Sequence, residues 1–129
     1  MGSVIVVVDD NPANLRLLKM FLSKEGYDVR TATDGPEVIP LVESVRPKLI
    51  LMDIHLPTLD GLEVTRQLKA DEATRRIPVL AVTAYAMKGD DEKALEAGCD
   101  GYITKPIQMN ELLEKIERMI ASNATLGSG

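Results

Sequence analysis

The sequence predicts a doubly wound α/β domain, with five parallel strands and five helices. Two uninterrupted apolar runs, residues 4–8 and 49–52, each lead directly into aspartate. Runs of this kind indicate strands buried on both faces, as parallel sheets require. Strand-like and helix-like stretches also alternate along the whole chain, which implies right-handed crossovers that cover both faces of the sheet.

The first strand, residues 4–8, is followed by a predicted helix. Asn11 is a favoured N-cap and Pro12 a favoured first helical residue. Leucines then recur at helical spacing until Gly26, a typical helix terminator. Residues 27–33 alternate loosely around Val29 and indicate a short second strand.

A second helix is predicted from Pro36, with Val38 and Val42 on its buried side, and it ends at Pro47. Pro40 is awkward in that helix, because it lacks a backbone donor and crowds the preceding turn. We therefore expect a kink or a late start near Pro40. The third strand follows and ends at residue 53.

The second half repeats the alternation of helix and strand. Asp60 and Gly61 begin a third helix, and a polar loop over residues 71–76 separates it from a fourth strand. The remaining predicted elements are that strand at residues 78–83, a weak charged helix at 87–97, a brief strand at 102–104 and a helix at about 108–121.

Length and charge restrict the class of protein. The 129 residues predict one domain at 4–121, with residues 1–3 and 122–129 read as an expression scar, linker or tail. Cys99 is the single cysteine, which excludes an internal disulfide and fits a reducing cytosol, so we expect a cytoplasmic protein. The net charge of −5 disfavours direct binding to nucleic acid or to an anionic membrane, and no apolar run is long enough to span a bilayer.

Three aspartates are predicted to meet at one edge of the sheet. In a flavodoxin-like strand order, 2-1-3-4-5, strands one and three are neighbours at the switch point, where such sheets bind ligands. Asp9 and Asp10 follow the first strand and Asp53 ends the third. Three crowded carboxylates favour a hard divalent cation such as Mg²⁺. The alternative is that Asp9 and Asp10 cap the first helix and that Asp53 is a solvated loop residue.

Two further polar residues are predicted at the same edge. Thr83 closes the fourth strand and Lys105 follows the fifth. A hydroxyl and an ammonium are suitable donors to the oxygens of an aspartyl phosphate. Taken alone, Lys105 fits a surface lysine and Thr83 a strand-end cap better than either fits a site residue, and Tyr102 fits an edge-strand aromatic as well as a functional residue.

These residues together resemble the receiver domain of two-component response regulators over nearly the whole chain, about residues 4–121. The resemblance rests on four groups of residues: Asp9 with Asp10, Asp53 with Pro57 and Gly61, Thr83 with Ala84, and Tyr102 with Lys105 and Pro106. Residues 86–90 also look like those of single-domain, DivK-like receivers and of the receivers of hybrid kinases.

The resemblance implies that Asp53 accepts a phosphoryl group from a phosphohistidine on a histidine kinase or histidine phosphotransfer protein. It implies Mg²⁺ held by Asp10, Asp53 and the backbone carbonyl of His55, with Asp9 acting mainly through water. Lys105 would contact the phosphoryl group, and its peptide bond to Pro106 is typically cis in the family.

The resemblance also implies a switch. Thr83 would move towards the phosphate and Tyr102 would turn inward, changing a surface formed by strand 4, helix 4, strand 5 and helix 5 that binds a downstream protein. Pro40, and histidine at position 55, are unusual for the family.

Two residues are expected to set the lifetime of the phosphate. His55 lies two positions past Asp53, and Tyr85 two past Thr83. Bulky groups at both positions would crowd the path of an attacking water, so the domain would keep its phosphate for longer. The alternative is that Tyr85 points outward and contacts a partner.

Two other classes of protein share parts of this pattern. A haloacid-dehalogenase-type phosphatase also uses an aspartate nucleophile and Mg²⁺, but it needs a second aspartate where this chain has His55. A flavodoxin-like electron carrier needs a Ser/Thr/Gly-rich phosphate loop after the first strand, and that loop is missing. A phosphorylation-dependent signalling switch, not a classical enzyme, is the function that the sequence predicts.

Overall fold

The chain forms one five-stranded parallel sheet covered by helices on both faces. The computed structural model describes residues 2–54, 56, 60–83 and 90–127. The strands are β1 (Val4–Val8), β2 (Asp28–Ala32), β3 (Leu49–Asp53), β4 (Val79–Thr83) and β5 (Gly101–Thr104). The helices are α1 (Pro12–Lys24), α2 (Val38–Val45), α3 (Gly61–Ala70), α4 (Asp90–Ala97) and α5 (Met109–Gly127). The strand order is β2-β1-β3-β4-β5, so the predicted flavodoxin-like topology is confirmed.

The core is divided by the sheet into two layers, because successive side chains of a strand point to opposite faces. In β1, Ile5 and Val7 face a layer closed by α1 and α5, through Leu18, Leu22 and Ile116. The alternate β1 residues face a layer closed by α2, α3 and α4. All five residues of β3 are buried, as are all five of β4, which explains their uninterrupted apolar sequences.

The start of α2 shows how the chain accommodates Pro40. A short 3₁₀ turn, Gly35–Glu37, precedes the helix, and α2 begins only at Val38. Pro40 therefore lies in the first turn, where a backbone N–H has no partner within the helix and its loss is tolerated. The expected late start is confirmed.

The last helix extends beyond its predicted end. The predicted end of the last helix, near Ala121, is wrong, because α5 continues through Gly127. The expected start of the fourth helix falls within residues 84–89, which lie outside the described part of the chain. Among the described residues, no helix is both long and apolar enough to cross a bilayer.

Candidate functional site

The three predicted aspartates do converge at the carboxyl edge of the sheet. Asp9 and Asp10 follow β1, Asp53 is the last residue of β3, and these two strands are hydrogen-bonded neighbours. Each aspartate places a carboxylate oxygen within 4.8 Å of the other two. Asp9 and Asp53 are buried, each with 3% of its surface exposed, whereas Asp10 is exposed. The convergence follows from the strand order, which the apolar runs of β1 and β3 determine.

Neither Asp9 nor Asp10 caps the first helix. The cap of α1 is Asn11, whose side chain accepts hydrogen bonds from the backbone N–H groups of Ala13 and Asn14. Asp9 instead accepts the N–H of Asn11 on Oδ1 at 2.9 Å and the side-chain amide of Asn14 on Oδ2 at 3.4 Å. The start of α1 therefore holds the Asp9 carboxylate in place without using it as a cap.

Asp53 is fixed by its backbone on both sides, so it is not a solvated loop residue. It pairs with Val82 in the β3–β4 register. On the other side, α3 begins so close to it that a Cβ on Gly61 would lie 2.3 Å from the Asp53 carbonyl oxygen. Only glycine permits this approach of the α3 N-terminus, which Asp60 caps through the N–H of Leu62 at 2.7 Å.

Lys105 reaches into the acidic site from the end of β5. Its Nζ lies 3.3 Å from Asp53 Oδ2 and 3.7 Å from Asp9 Oδ2, and only about a quarter of its side chain is exposed. It is therefore not an ordinary surface lysine. Its backbone N–H donates to the carbonyl of Thr83 at 2.8 Å, and its peptide bond to Pro106 is cis, as the resemblance implies.

Thr83 is buried at the last position of β4, one residue beyond the Val82 that pairs with Asp53. Tyr102 lies on the edge strand β5, paired with Ala81, and 41% of its surface is exposed. The structure thus brings Thr83 to the edge that bears the acids and leaves the ring of Tyr102 on the outside. The roles expected of both residues stay predictions.

The donors at this edge fit a magnesium ion. Carboxylate oxygens are the ligands that Mg²⁺ prefers, and it commonly takes one or two carboxylates together with water. Among the described residues, the three carboxylates lie together and the Lys105 ammonium pairs with two of them, Asp9 and Asp53, so this group of four side chains keeps an excess of negative charge. Asp9 is already engaged by two neutral donors, which leaves Asp10 and Asp53 as the better candidates for direct ligands.

Two of the predicted site residues lie outside the described part of the chain. They are His55 and Tyr85, which are expected to set the phosphate lifetime. The backbone carbonyl of His55 is also the expected metal ligand. The sequence interpretation missed Asn14, which contacts Asp9. In the sequence, the only indication of this contact is that Asn14 is a polar residue in the first turn of the predicted helix, within side-chain reach of Asp9.

A shallow groove of about 220 Å³ opens beside the acidic site, between the first turns of α1 and the chain after β5. Its lining is mainly apolar, with Asn14 and Lys105 as its polar residues. The groove is lined by Asn14, Leu17, Leu18, Lys105, Pro106, Ile107 and Met109.

Comparison with known families decides how this arrangement is classified. Residues 5–117 match the family described as the response regulator receiver domain. The chain is a response regulator receiver domain. Phosphorylation and signal transduction in two-component systems follow from that membership, and receiver domains work with histidine kinases or phosphotransfer proteins and with downstream targets.

Individual relatives cover almost the whole of this receiver domain. The polar-differentiation response regulator DivK of Brucella anthropi is 44% identical over 117 residues, which span 91% of this chain and 95% of that protein. DivK of Brucella ovis shows the same identity and coverage. These similarities are to a response regulator that is itself little longer than a receiver domain.

Solved structures agree with the fold of this receiver domain. The receiver domain of sensor histidine kinase PA1611 from Pseudomonas aeruginosa is 40% identical, with a TM-score of 0.87, and the match covers 94% of this chain and 99% of that one. That crystal structure has a magnesium ion coordinated in its active-site cleft. A CheY-like receiver domain protein from Methanospirillum hungatei is 32% identical, with a TM-score of 0.89 and coverage of 97% and 98%.

Proposed function

We propose that this receiver domain accepts a phosphoryl group on Asp53 from a phosphohistidine and thereby changes a surface that binds another protein. The observation that carries the proposal is the setting of Asp53. It ends a fully buried strand, lies within 4.8 Å of two further acids and has the Lys105 ammonium 3.3 Å from its Oδ2. A carboxylate in such a setting is fixed in position and is close to a cation.

Asp10 and Asp53 would hold Mg²⁺, together with the backbone carbonyl of His55, while Asp9 would contact it through water. When bound, Mg²⁺ supplies positive charge that offsets the crowded carboxylates and the oxygens of the incoming phosphoryl group. The chemistry of the donor set supports this assignment, as does the magnesium in the PA1611 receiver.

In the transfer, a carboxylate oxygen of Asp53 forms a bond to phosphorus as the P–N bond to the donor histidine breaks. The bonding electron pair returns to the imidazole nitrogen, which then takes a proton from solvent. Lys105 would move its ammonium from the carboxylate to the phosphoryl oxygens, and Thr83 would donate its hydroxyl to another of them. The domain would thus catalyse its own phosphorylation and dephosphorylation without being a classical enzyme.

The output surface would lie on the β4–α4–β5–α5 side of the domain. Thr83 ends β4, and Tyr102 on β5 exposes 41% of its surface, with Leu95 of α4 also exposed. Movement of Thr83 towards the phosphate would leave space for the Tyr102 ring to turn inward, which would change the shape of this face. A downstream protein that binds this face would read the change.

The proposed donor is a histidine kinase or a histidine phosphotransfer protein, and no direct contact with nucleic acid is expected at a net charge of −5. The lifetime of the phosphate would depend on His55 and Tyr85. Loss of phosphate should be faster when His55→Asn and Tyr85→Ala are combined, as a gel that retards phosphorylated protein would record. Equal or slower loss would remove the shielding role and leave Asp53 as the acceptor.

The test of the proposal is phosphate uptake from acetyl phosphate in the presence of Mg²⁺. Intact mass should rise by about 80 Da, the mass of one phosphoryl group. Asp53→Asn should abolish the gain. Asp60→Asn is the matched control, because asparagine also caps a helix, and this variant removes a nearby carboxylate while keeping the α3 cap.

Full labelling of Asp53→Asn would contradict the proposal. The alternative function, an aspartate-nucleophile phosphatase, predicts a different result: many equivalents of inorganic phosphate released per protein from a phosphomonoester. We expect no such turnover.

A further inference from the structure

Asn14 is the first residue of interest beyond the acids and Lys105, because its side chain folds back from α1 onto Asp9. The amide Nδ2 lies 3.4 Å from Asp9 Oδ2. An ionised carboxylate only accepts hydrogen bonds, so the donor face of the amide must point towards it. The backbone N–H of Asn14 is separately satisfied by the Asn11 cap, so its side chain is not needed to start the helix.

The oxygen that Asn14 contacts is also the one that Lys105 approaches. Lys105 Nζ lies 3.7 Å from Asp9 Oδ2 and 3.3 Å from Asp53 Oδ2. Both carboxylates are buried, and both attract this one ammonium. A neutral donor on Asp9 Oδ2 lowers the pull of Asp9 on the ammonium without adding charge to the site.

We propose that Asn14 is a positioning residue of the acidic site, which occupies Asp9 Oδ2 and so leaves the Lys105 ammonium with Asp53. The inference rests on the proposed function, because it matters for phosphorylation only if Lys105 assists transfer to Asp53. Asn14 would act through Asp9 and Lys105 and would not touch the phosphoryl group.

Asn14 also lines the groove between α1 and the chain after β5, together with Leu17 and Lys105.

The experiment compares wild type with Asn14→Leu, Asn14→Gln and Leu17→Ala. Leucine keeps the branched shape of asparagine and has a higher helix propensity, so it removes the donor without weakening the helix, and glutamine keeps the amide. Leu17→Ala is the control, because Leu17 lines the same groove, is half exposed and has no contact with the acids among the described interactions.

Three readouts are taken: the side-chain ammonium NMR signal of Lys105, identified by its loss in Lys105→Arg; the affinity for Mg²⁺ by calorimetry; and the rate of phosphate uptake from acetyl phosphate. Asn14→Leu should shift the Lys105 signal and slow uptake about threefold to tenfold, less than the full effect of losing a hydrogen bond to a charged group, because Asn14 acts on the transfer only through Asp9 and Lys105. Asn14→Gln should recover at least half of the rate, and Leu17→Ala should match wild type.

An unchanged Lys105 signal in Asn14→Leu, or equal rates for the leucine and glutamine variants, would overturn the proposal. A general structural role would instead lower thermal stability while leaving the Lys105 signal in place. If wild type itself takes up no phosphate, the proposed function fails, but the Lys105 signal still decides whether Asn14 positions the ammonium.

Discussion

Two lysine–aspartate pairs lie at opposite ends of the same sheet, one in the candidate site and one in a structural contact. Lys105 and Asp53 meet at the carboxyl edge, with 3.3 Å between Nζ and Oδ2. Lys69 and Asp100 meet at the amino ends of β4 and β5, at 2.9 Å. The distances alone do not separate a site from a structural contact.

The surroundings of the two pairs do separate them. Lys69 uses all three of its donors, on the carbonyls of Arg75 and Ile77 and on Asp100 Oδ2, and that oxygen also accepts the N–H of Val79. One cation meets one anion, and backbone groups complete the contacts. At the other edge, among the described residues, three carboxylates lie together, and the one ammonium near them, that of Lys105, pairs with Asp9 and Asp53. A charge excess in a fixed geometry indicates a site that takes a further cation, whereas charge balance indicates a structural pair.

The largest expected effect of a single change is at the structural pair. Lys69→Met should lower the free energy of unfolding by about 2–3 kcal/mol, because three acceptors lose a charged donor in a mostly buried position. The loss, measured by urea unfolding, should be the same with and without Mg²⁺. A loss that Mg²⁺ reverses would mean that the two ends of the sheet are coupled, and would break the comparison.

The next largest effect should come from relieving the charge excess. Without metal, Asp10→Ala should raise the melting temperature by about 2–4 °C, or roughly 1 kcal/mol, since one of three mutually repelling carboxylates is gone. In wild type, Mg²⁺ should raise the melting temperature by mass action.

The same variants test which acid binds the metal directly. Asp10→Ala should weaken Mg²⁺ binding more than Asp9→Ala does, because Asp9 is held by Asn11 and Asn14. Calorimetric titration measures both affinities. A wild-type protein with no thermal shift in Mg²⁺ would count heavily against a shared metal site.

Lys105→Ala should change stability less and signalling more. The variant should still accept phosphate, because Asp53 and the other acids remain, but more slowly than wild type, because the assisting ammonium is gone. Amide NMR shifts around β5 and α5 should then respond less to phosphorylation than in wild type. Shifts as large as those of wild type would show that Lys105 does not link the acidic site to the face around Tyr102.

At Cys99, next to Asp100 at the structural end, we expect an effect on chemical reactivity and none on signalling. Burial raises the pKa of the Cys99 thiol, and nearby Asp100 raises it further, although a contact with Thr65 opposes the shift. Little of the reactive thiolate is therefore present at pH 8, and reactivity should rise with pH. A disulfide reagent should label the folded protein at least about tenfold more slowly than the unfolded chain. Fast labelling of wild type would show that this end opens readily.

The difference between the two ends also explains what the sequence could predict. Apolar runs in β1 and β3 determine which strands are central, and the strand order then brings Asp9, Asp10 and Asp53 together. That reasoning needs only local pattern and topology. The late start of α2 at Val38 followed in the same way from the constraint that Pro40 places on a helix.

Other features depend on contacts between residues that are distant in the sequence, and a local sequence pattern does not predict such contacts. Lys69 and Asp100 are 31 positions apart, and their contact depends on how α3 packs beside the start of β5. Asn14 looks like any polar residue in a first helical turn until Asp9 is placed beside it. The end of α5 was missed because the polar residues after Ala121 resemble a tail, yet the helix continues to Gly127.

The hydrogen bond from the Lys105 N–H to the Thr83 carbonyl has a consequence for conformational entropy. It joins the backbones of two residues that lie 22 positions apart in the chain and that are proposed to bind the same phosphoryl group. Ordering a flexible backbone costs about 1–2 kcal/mol per residue, in addition to up to about 2 kcal/mol for a lysine side chain. Here the conformational entropy of the backbone has already been lost on folding. Only the two side chains remain to be ordered when the charge on Asp53 changes.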